Sequence, residues 1–123
     1  MKLEWDRIEG KNAFTGYGQN YVEINGKRHE SGLLVLSGQI IEGWGLAGFE
    51  ALQVEDFEQL AALAPDIALF GSGPTLRFPA PELLRPLIEA GIGLEVMNTP
   101  AACRTWNILV SEGRKVVAAL LMI

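Results

Sequence analysis

Few side chains in this sequence could do chemistry, and they are scattered. Nucleophilic catalysis would need Cys103 beside a base, yet the one histidine, His29, lies far from it along the chain. A single cysteine and histidine without a local signature point only weakly to a nucleophile. Cys103 sits near the first turn of a helix expected from Thr99, where a helix dipole lowers a thiol pKa. It also belongs to the set Ala102, Cys103, Trp106, Leu109 and Val110. That i, i+1, i+4, i+7, i+8 stripe is the pattern of a core-facing helix. A buried free cysteine behaves as a small hydrophobe, so Cys103 is expected inside and inert.

The second candidate is a ligand site. Gly71-Ser72-Gly73-Pro74 follows one strand-like run, and Asn98-Thr99 follows another. Ligands collect at the carboxyl ends of parallel strands. A helix N-terminus has unpaired N–H groups and about half a positive charge, so it can hold an anion. If the two strands are neighbours, Gly71, Ser72, Gly73, Thr99, Arg104 and Asn107 are the candidate binding residues, with Arg77 adding charge. The ligand would be a small anion or carboxylate.

A plainer reading stands beside it. No Gly-Lys-Ser/Thr follows these glycines, so they form no Walker loop; Leu76 and Pro74 rule out a dinucleotide fingerprint. Glycines after a strand often only permit a bend, and Thr99 then serves as a helix cap. On that view Thr99→Ala costs ~0.5–2 kcal/mol of stability and nothing else. Glu55, Asp56 and Glu58 open a helix, where acids meet the dipole favourably. Glu112, Arg114 and Lys115 read as surface charge at a helix end, and Trp44 as core or rim. No catalytic residue is assigned, and the balance leans away from an enzyme.

The inventory excludes more. One cysteine and one histidine leave no zinc finger, paired-histidine zinc site or iron–sulfur cluster. No Asp-rich loop offers an oxygen cage for magnesium or calcium, so neither metal nor cofactor is expected. Ten basic against fifteen acidic residues give a net charge of −5 and a pI near 4.8, which disfavours nucleic-acid partners. Behind Met1-Lys2-Leu3-Glu4 there is neither a signal-peptide core nor an acid-poor transit segment. The apolar run 116–123 is far short of the ~20 residues that span a bilayer. A cytoplasmic location without membrane insertion is expected.

These residues need a scaffold. The chain has 123 residues, 49% hydrophobic and 20% charged, as one globular domain over 1–123 would have. Residues 1–16 show no period and read as a loosely ordered arm. Residues 17–24 look like a strand, turned by Asn25-Gly26 in the type I′ manner. The return runs from Lys27 into 33–36, and Ser37-Gly38 turns it into a third antiparallel strand over 39–44. Then the period changes. A helix over 55–64 faces inward with Phe57, Leu60 and Ala64 and stops at Pro65. A buried strand at 67–70 and a helix over 81–90 follow, the helix showing Leu83, Leu84, Leu87 and Ile88 as its apolar stripe. Next come a strand at 94–97, the helix from Thr99 to about Ser111, and a last strand over 115–121. The fold class is α/β, bordering α+β: N-terminal antiparallel strands, then βαβ-type units, in a mixed sheet with helices packed on it.

The stretch from Gly91 to Asn98, then Ala101-Ala102-Cys103-Arg104-Thr105-Trp106-Asn107, then Glu112-Gly113-Arg114-Lys115-Val116, is distinctive. With Leu69-Phe70-Gly71-Ser72-Gly73 it resembles a family of small α/β domains of largely unknown biochemical function. That family includes a mitochondrial assembly factor for respiratory complex I and an adipogenesis-associated protein. The likeness covers residues 17–121 and implies a single compact domain with a mixed sheet; it carries over no catalytic residue. The family usually has Tyr where this chain has Trp106. Two functional readings remain: a non-enzymatic interaction or assembly module with a protein partner or self-association, and a small-molecule or anion binder using the Gly71–Thr99 region.

Overall fold

The computed structural model describes residues 10–123. In chain order the elements are β1 (Phe14–Gly18), β2 (Tyr21–Ile24), β3 (Lys27–His29), β4 (Leu33–Leu36), β5 (Gln39–Glu42), α1 (Val54–Ala62), β6 (Ile67–Ser72), α2 (Arg85–Glu89), β7 (Gly93–Met97), α3 (Thr99–Ser111) and β8 (Val116–Leu121). β1, β2 and β3 form a small antiparallel sheet in that order. The other five form a mixed sheet ordered β5-β4-β8-β6-β7, with β6 parallel to β7 and β8.

β8 explains the layering. All six of its residues are apolar and buried, as a central strand covered on both faces must be. Val116, Ala118 and Leu120 enter one core with Phe14, Val22, Ile24, Cys103 and Trp106. Val117, Ala119 and Leu121 enter the other with Trp44, Phe57, Leu60, Phe70 and Leu87. Thus α3 and the small sheet cover one face, and α1 and α2 the other. The mixed sheet with helices is the architecture expected.

The N-terminal strands differ from the expected meander. β1 starts at Phe14, inside the segment read as an arm, and Ala13 and Phe14 are buried. Its period is masked by a register shift between Phe14 and Gly16 and by glycines that bury no side chain. The rest of the expected arm, residues 1–9, lies outside the described residues. The expected strand over 17–24 is broken by a turn in which Asn20 takes φ 66°. β3 ends at His29, and β4 joins the large sheet beside β8 rather than continuing the small one. The Asn25-Gly26 turn has φ of 53° and 83°, the two positive angles of a type I′ turn.

Two helices are shorter than expected. α1 ends before Ala64, which is exposed and left-handed at φ 50°, so Ala64 does not share the buried face of Phe57 and Leu60. The stretch 81–90 splits into a tight turn at Pro81–Leu84 and α2. Pro86 has no N–H to give to the carbonyl of residue 82, so a continuous helix is interrupted there. Leu87 is buried, but Ile88 of the expected stripe is exposed.

Candidate functional site: the loop end of the large sheet

β6 and β7 are neighbours, with Gly71 opposite Met97, so the glycine loop and the start of α3 meet as expected. Thr99 is the joint between them. Its buried hydroxyl donates to the Leu121 carbonyl at 2.6 Å and accepts the Gly73 N–H at 2.9 Å. Its own N–H donates to the Gly73 carbonyl at 2.9 Å. Thr99 therefore ties the ends of β6 and β8 to α3 and is not the cap. The cap is Asn98, whose Oδ1 accepts the Ala101 N–H at 2.9 Å.

Gly71 serves this close approach. A Cβ there would lie 2.7 Å from Leu120 Cδ2 and 2.9 Å from Thr99 Oγ1. Ser72 is also buried. Its hydroxyl donates to the Thr75 carbonyl at 2.7 Å and accepts the Arg77 N–H at 3.0 Å, folding the next loop back on the strand. Gly73, with φ 98°, gives that loop its direction.

A cleft of ≈ 290 Å³ opens where β6 and β8 end. Its lining includes Ser72, Gly73, Arg77 and Met122 together with Glu30, Gly32, Gly45, Leu46 and Phe49. The Arg77 guanidinium lies 4.2 Å over the Phe49 ring, and its Nη1 is 3.5 Å from a Glu50 carboxylate oxygen. Leu46, Leu76 and Phe78 stand 66%, 53% and 69% exposed on the loops that border the cleft. Beside the lining residue Gly45, Trp44 packs edge-on against Phe57 and Phe70, and its Nε1 donates to the Asp56 carbonyl at 3.1 Å.

Of the six expected binding residues, Gly71, Ser72, Gly73 and Thr99 come together, and only Ser72 and Gly73 line the cleft. Arg104 and Asn107 point elsewhere. Arg104 Nη1 donates to the Tyr17 hydroxyl at 2.6 Å, and the buried Asn107 bonds the backbone of Phe14. Both lie on the flank of α3 turned to β1, a neighbour the helix period alone does not reveal. Conversely, sequence reasoning missed Leu46 and Phe49. The signal was there, as large apolar residues set among Gly43, Gly45 and Gly48 outside any strand-like or helix-like run.

Cys103 is fully buried, as expected, and burial pushes its thiol up to about 12, with the Arg104 charge opposing only part of that. His29 faces Glu42, not the thiol, with Nδ1 3.3 Å from Oε1. Among the described residues no group of three His, Cys, Asp or Glu side chains is placed to hold a metal, and no helix is long and apolar enough to cross a membrane.

A protein of Bordetella parapertussis, known from a crystal structure, superposes with a TM-score of 0.84 at 37% identity, over 94% of this chain and 98% of that one. The NADH dehydrogenase (ubiquinone) 1 alpha subcomplex assembly factor 3 of Bos taurus is 31% identical over 107 residues. The match covers 85% of this chain but 58% of the cattle protein, so this chain spans about three-fifths of that relative. The 13 kDa major membrane protein of Francisella tularensis is 25% identical over 117 residues, covering 94% of this chain and 95% of that protein. The model of one family, described as a protein of unknown function, matches residues 14–121, from the first strand to the end of the last: the chain belongs to the DUF498/DUF598 family.

Proposed function

We propose that this chain is a non-enzymatic protein-interaction module of the assembly type, and that the loop end of its large sheet receives the partner. The observation that carries this is the set of large apolar side chains left in water on these loops, each more than half exposed. Leu46 is in the cleft lining, and Leu76 and Phe78 stand on either side of the lining residue Arg77 in the chain. Burying such a side chain fully is worth ~1.5–3 kcal/mol, so a partner that covers the group gains affinity directly. Clustered exposed apolar residues mark interaction surfaces, whereas isolated ones are ordinary. The name of the cattle relative, an assembly factor, supports the same role for this chain.

The anion-site reading is weaker. The Thr99 and Ala101 N–H groups at the start of α3 and the N–H of Gly73 already have partners within the protein. We assign the chain to the cytosol, a setting that suits a single unpaired, buried thiol.

The test is affinity capture of the tagged chain from its native lysate, beside a Leu46→Ser, Phe78→Ser double variant shown to be folded by circular dichroism. One or more proteins retained in stoichiometric amount by the original chain and lost by the variant are expected. A partner held equally by both, or a clean monomer in both arms, overturns the reading.

A further inference from the structure

We propose a second site, between the free edges of the two sheets, that binds a small zwitterion with an aliphatic body, of the amino-acid class. It shares no lining residue with the loop-end cleft and does not depend on partner docking there.

β3 and β5 are the last strands of their sheets. Register places Lys27 opposite Ile24 and His29 opposite Val22 in the small sheet. In the large sheet it places Ile40 opposite Val35 and Glu42 opposite Leu33. Residues opposite one another share a face. Val22, Ile24, Leu33 and Val35 all belong to the core between the sheets. Lys27, His29, Ile40 and Glu42 therefore lie on the faces that the two layers turn toward each other and line an open cleft of ≈ 620 Å³, with His29 buried in it and Lys27 and Glu42 exposed at its rim. That volume lies within the ordinary range of small-molecule sites, roughly 300–1,000 Å³.

The lining has one polar group with an unmade bond. The His29 side chain is only 6% exposed, its Nδ1 faces Glu42 at 3.3 Å, and its Nε2 has no hydrogen-bond partner. Buried polar atoms are nearly always paired, because leaving one unpaired costs the desolvation of that atom. Asn25, which also lines the cleft, does not supply the missing partner. Its Oδ1 accepts the Ala13 N–H and its Nδ2 donates to Asn12 Oδ1.

The remaining chemistry is one cation, Lys27, one anion, Glu42, and an apolar wall made by Ile24 and Ile40. An anion drawn to Lys27 would also meet the Glu42 carboxylate, and a cation drawn to Glu42 the Lys27 ammonium. A zwitterion sets its carboxylate toward Lys27 and its ammonium toward Glu42, with the aliphatic body on the isoleucines. Its ammonium also brings N–H donors into the pocket that holds the imidazole.

The test is a methyl and backbone NMR titration of the whole chain with L-leucine. L-leucinamide, which lacks the carboxylate, and 4-methylpentanoate, which lacks the ammonium, are run in parallel. The pH is kept slightly acidic, so that the amines are protonated. Saturable shifts at the Ile24 and Ile40 methyls and the His29 ring are expected with leucine, and each analogue should bind about tenfold more weakly or worse. Lys27→Met should abolish the discrimination against leucinamide, and Glu42→Gln that against 4-methylpentanoate. Absence of saturable shifts at these residues overturns the proposal. So do three compounds that bind alike, or variants that leave the discrimination intact.

Discussion

Asn107 holds Phe14 by both of its main-chain atoms: Oδ1 accepts the Phe14 N–H at 2.9 Å, and Nδ2 donates to the Phe14 carbonyl at 2.9 Å. The amide side chain thus pairs with β1 as a neighbouring strand would, across 93 residues of sequence. Trp106, one residue earlier, adds an Nε1 bond to the Asn12 carbonyl at 3.0 Å. Together these anchor the small sheet to α3.

Removing that side chain strands two buried backbone groups. Asn107→Ala should destabilise the protein by about 2–4 kcal/mol, since each buried group left unpaired costs ~1–3 kcal/mol. Urea unfolding measures it; a loss under half a kcal/mol would show that water replaces the amide.

The role of Thr99 separates from that of a cap by its substitutions. Thr99→Val keeps the shape and loses the hydroxyl, so the Leu121 carbonyl and Gly73 N–H lose a partner and stability should fall by roughly 2–3 kcal/mol. Thr99→Ser should recover most of that. Asn98→Ala, the true cap change, should cost about 1 kcal/mol. Equal losses for Thr99→Val and Thr99→Ser would contradict the bonding described.

Gly71→Ala tests whether this glycine answers packing or a ligand. Its Cβ would press on Leu120 and Thr99, with Thr99 Cα only 3.1 Å away. Overpacking of this kind costs typically 1–3 kcal/mol, read as a lower melting temperature without any ligand present. An unchanged melting temperature would return Gly71 to the list of candidate binding residues.

Cys103 links stability to alkaline pH. Its folded pKa of about 12 lies above the ordinary 9.0, so the unfolded chain loses the proton first. Protons bound in the unfolded state then fall below those bound in the folded state, and stability declines as pH rises from 9 toward 12. The slope approaches about 1.4 kcal/mol per unit, with no effect below pH 9. Cys103→Ala removes the group, so the stability difference between the two proteins should narrow with this slope. In the native protein, thiol reagents should label Cys103 only as fast as it unfolds.

Cell fractionation tests the compartment. We expect release into the soluble fraction without detergent, although the Francisella relative bears the name of a membrane protein. Recovery only with detergent would overturn the cytosolic assignment.

The elements of the second half were legible because their signals are local. The run 67–70, the stripe around Cys103 and the all-apolar 116–121 each carry their period within a few residues, and β6, α3 and β8 followed. Asn25-Gly26 likewise specifies its turn by backbone sterics alone. The first strand was not legible, since Gly16 and Gly18 erase its alternation and the α3 side chains that hold it beyond β2, Asn107 and Trp106, lie far along the chain.

The candidate site divides the same way. The sequence by itself marked a glycine loop and a helix start after two strand-like runs, because those signals are local. That β6 and β7 lie side by side, with β8 on the far side of β6, was decided by the tertiary structure. Only the tertiary structure decided what those residues do. Thr99 spends its hydroxyl on two strand ends, Arg104 and Asn107 turn to β1, and Leu46 stands in water at the cleft. A side chain's partner depends on which distant segment is packed against it, and hydrogen bonds between such segments leave no periodic trace in the sequence.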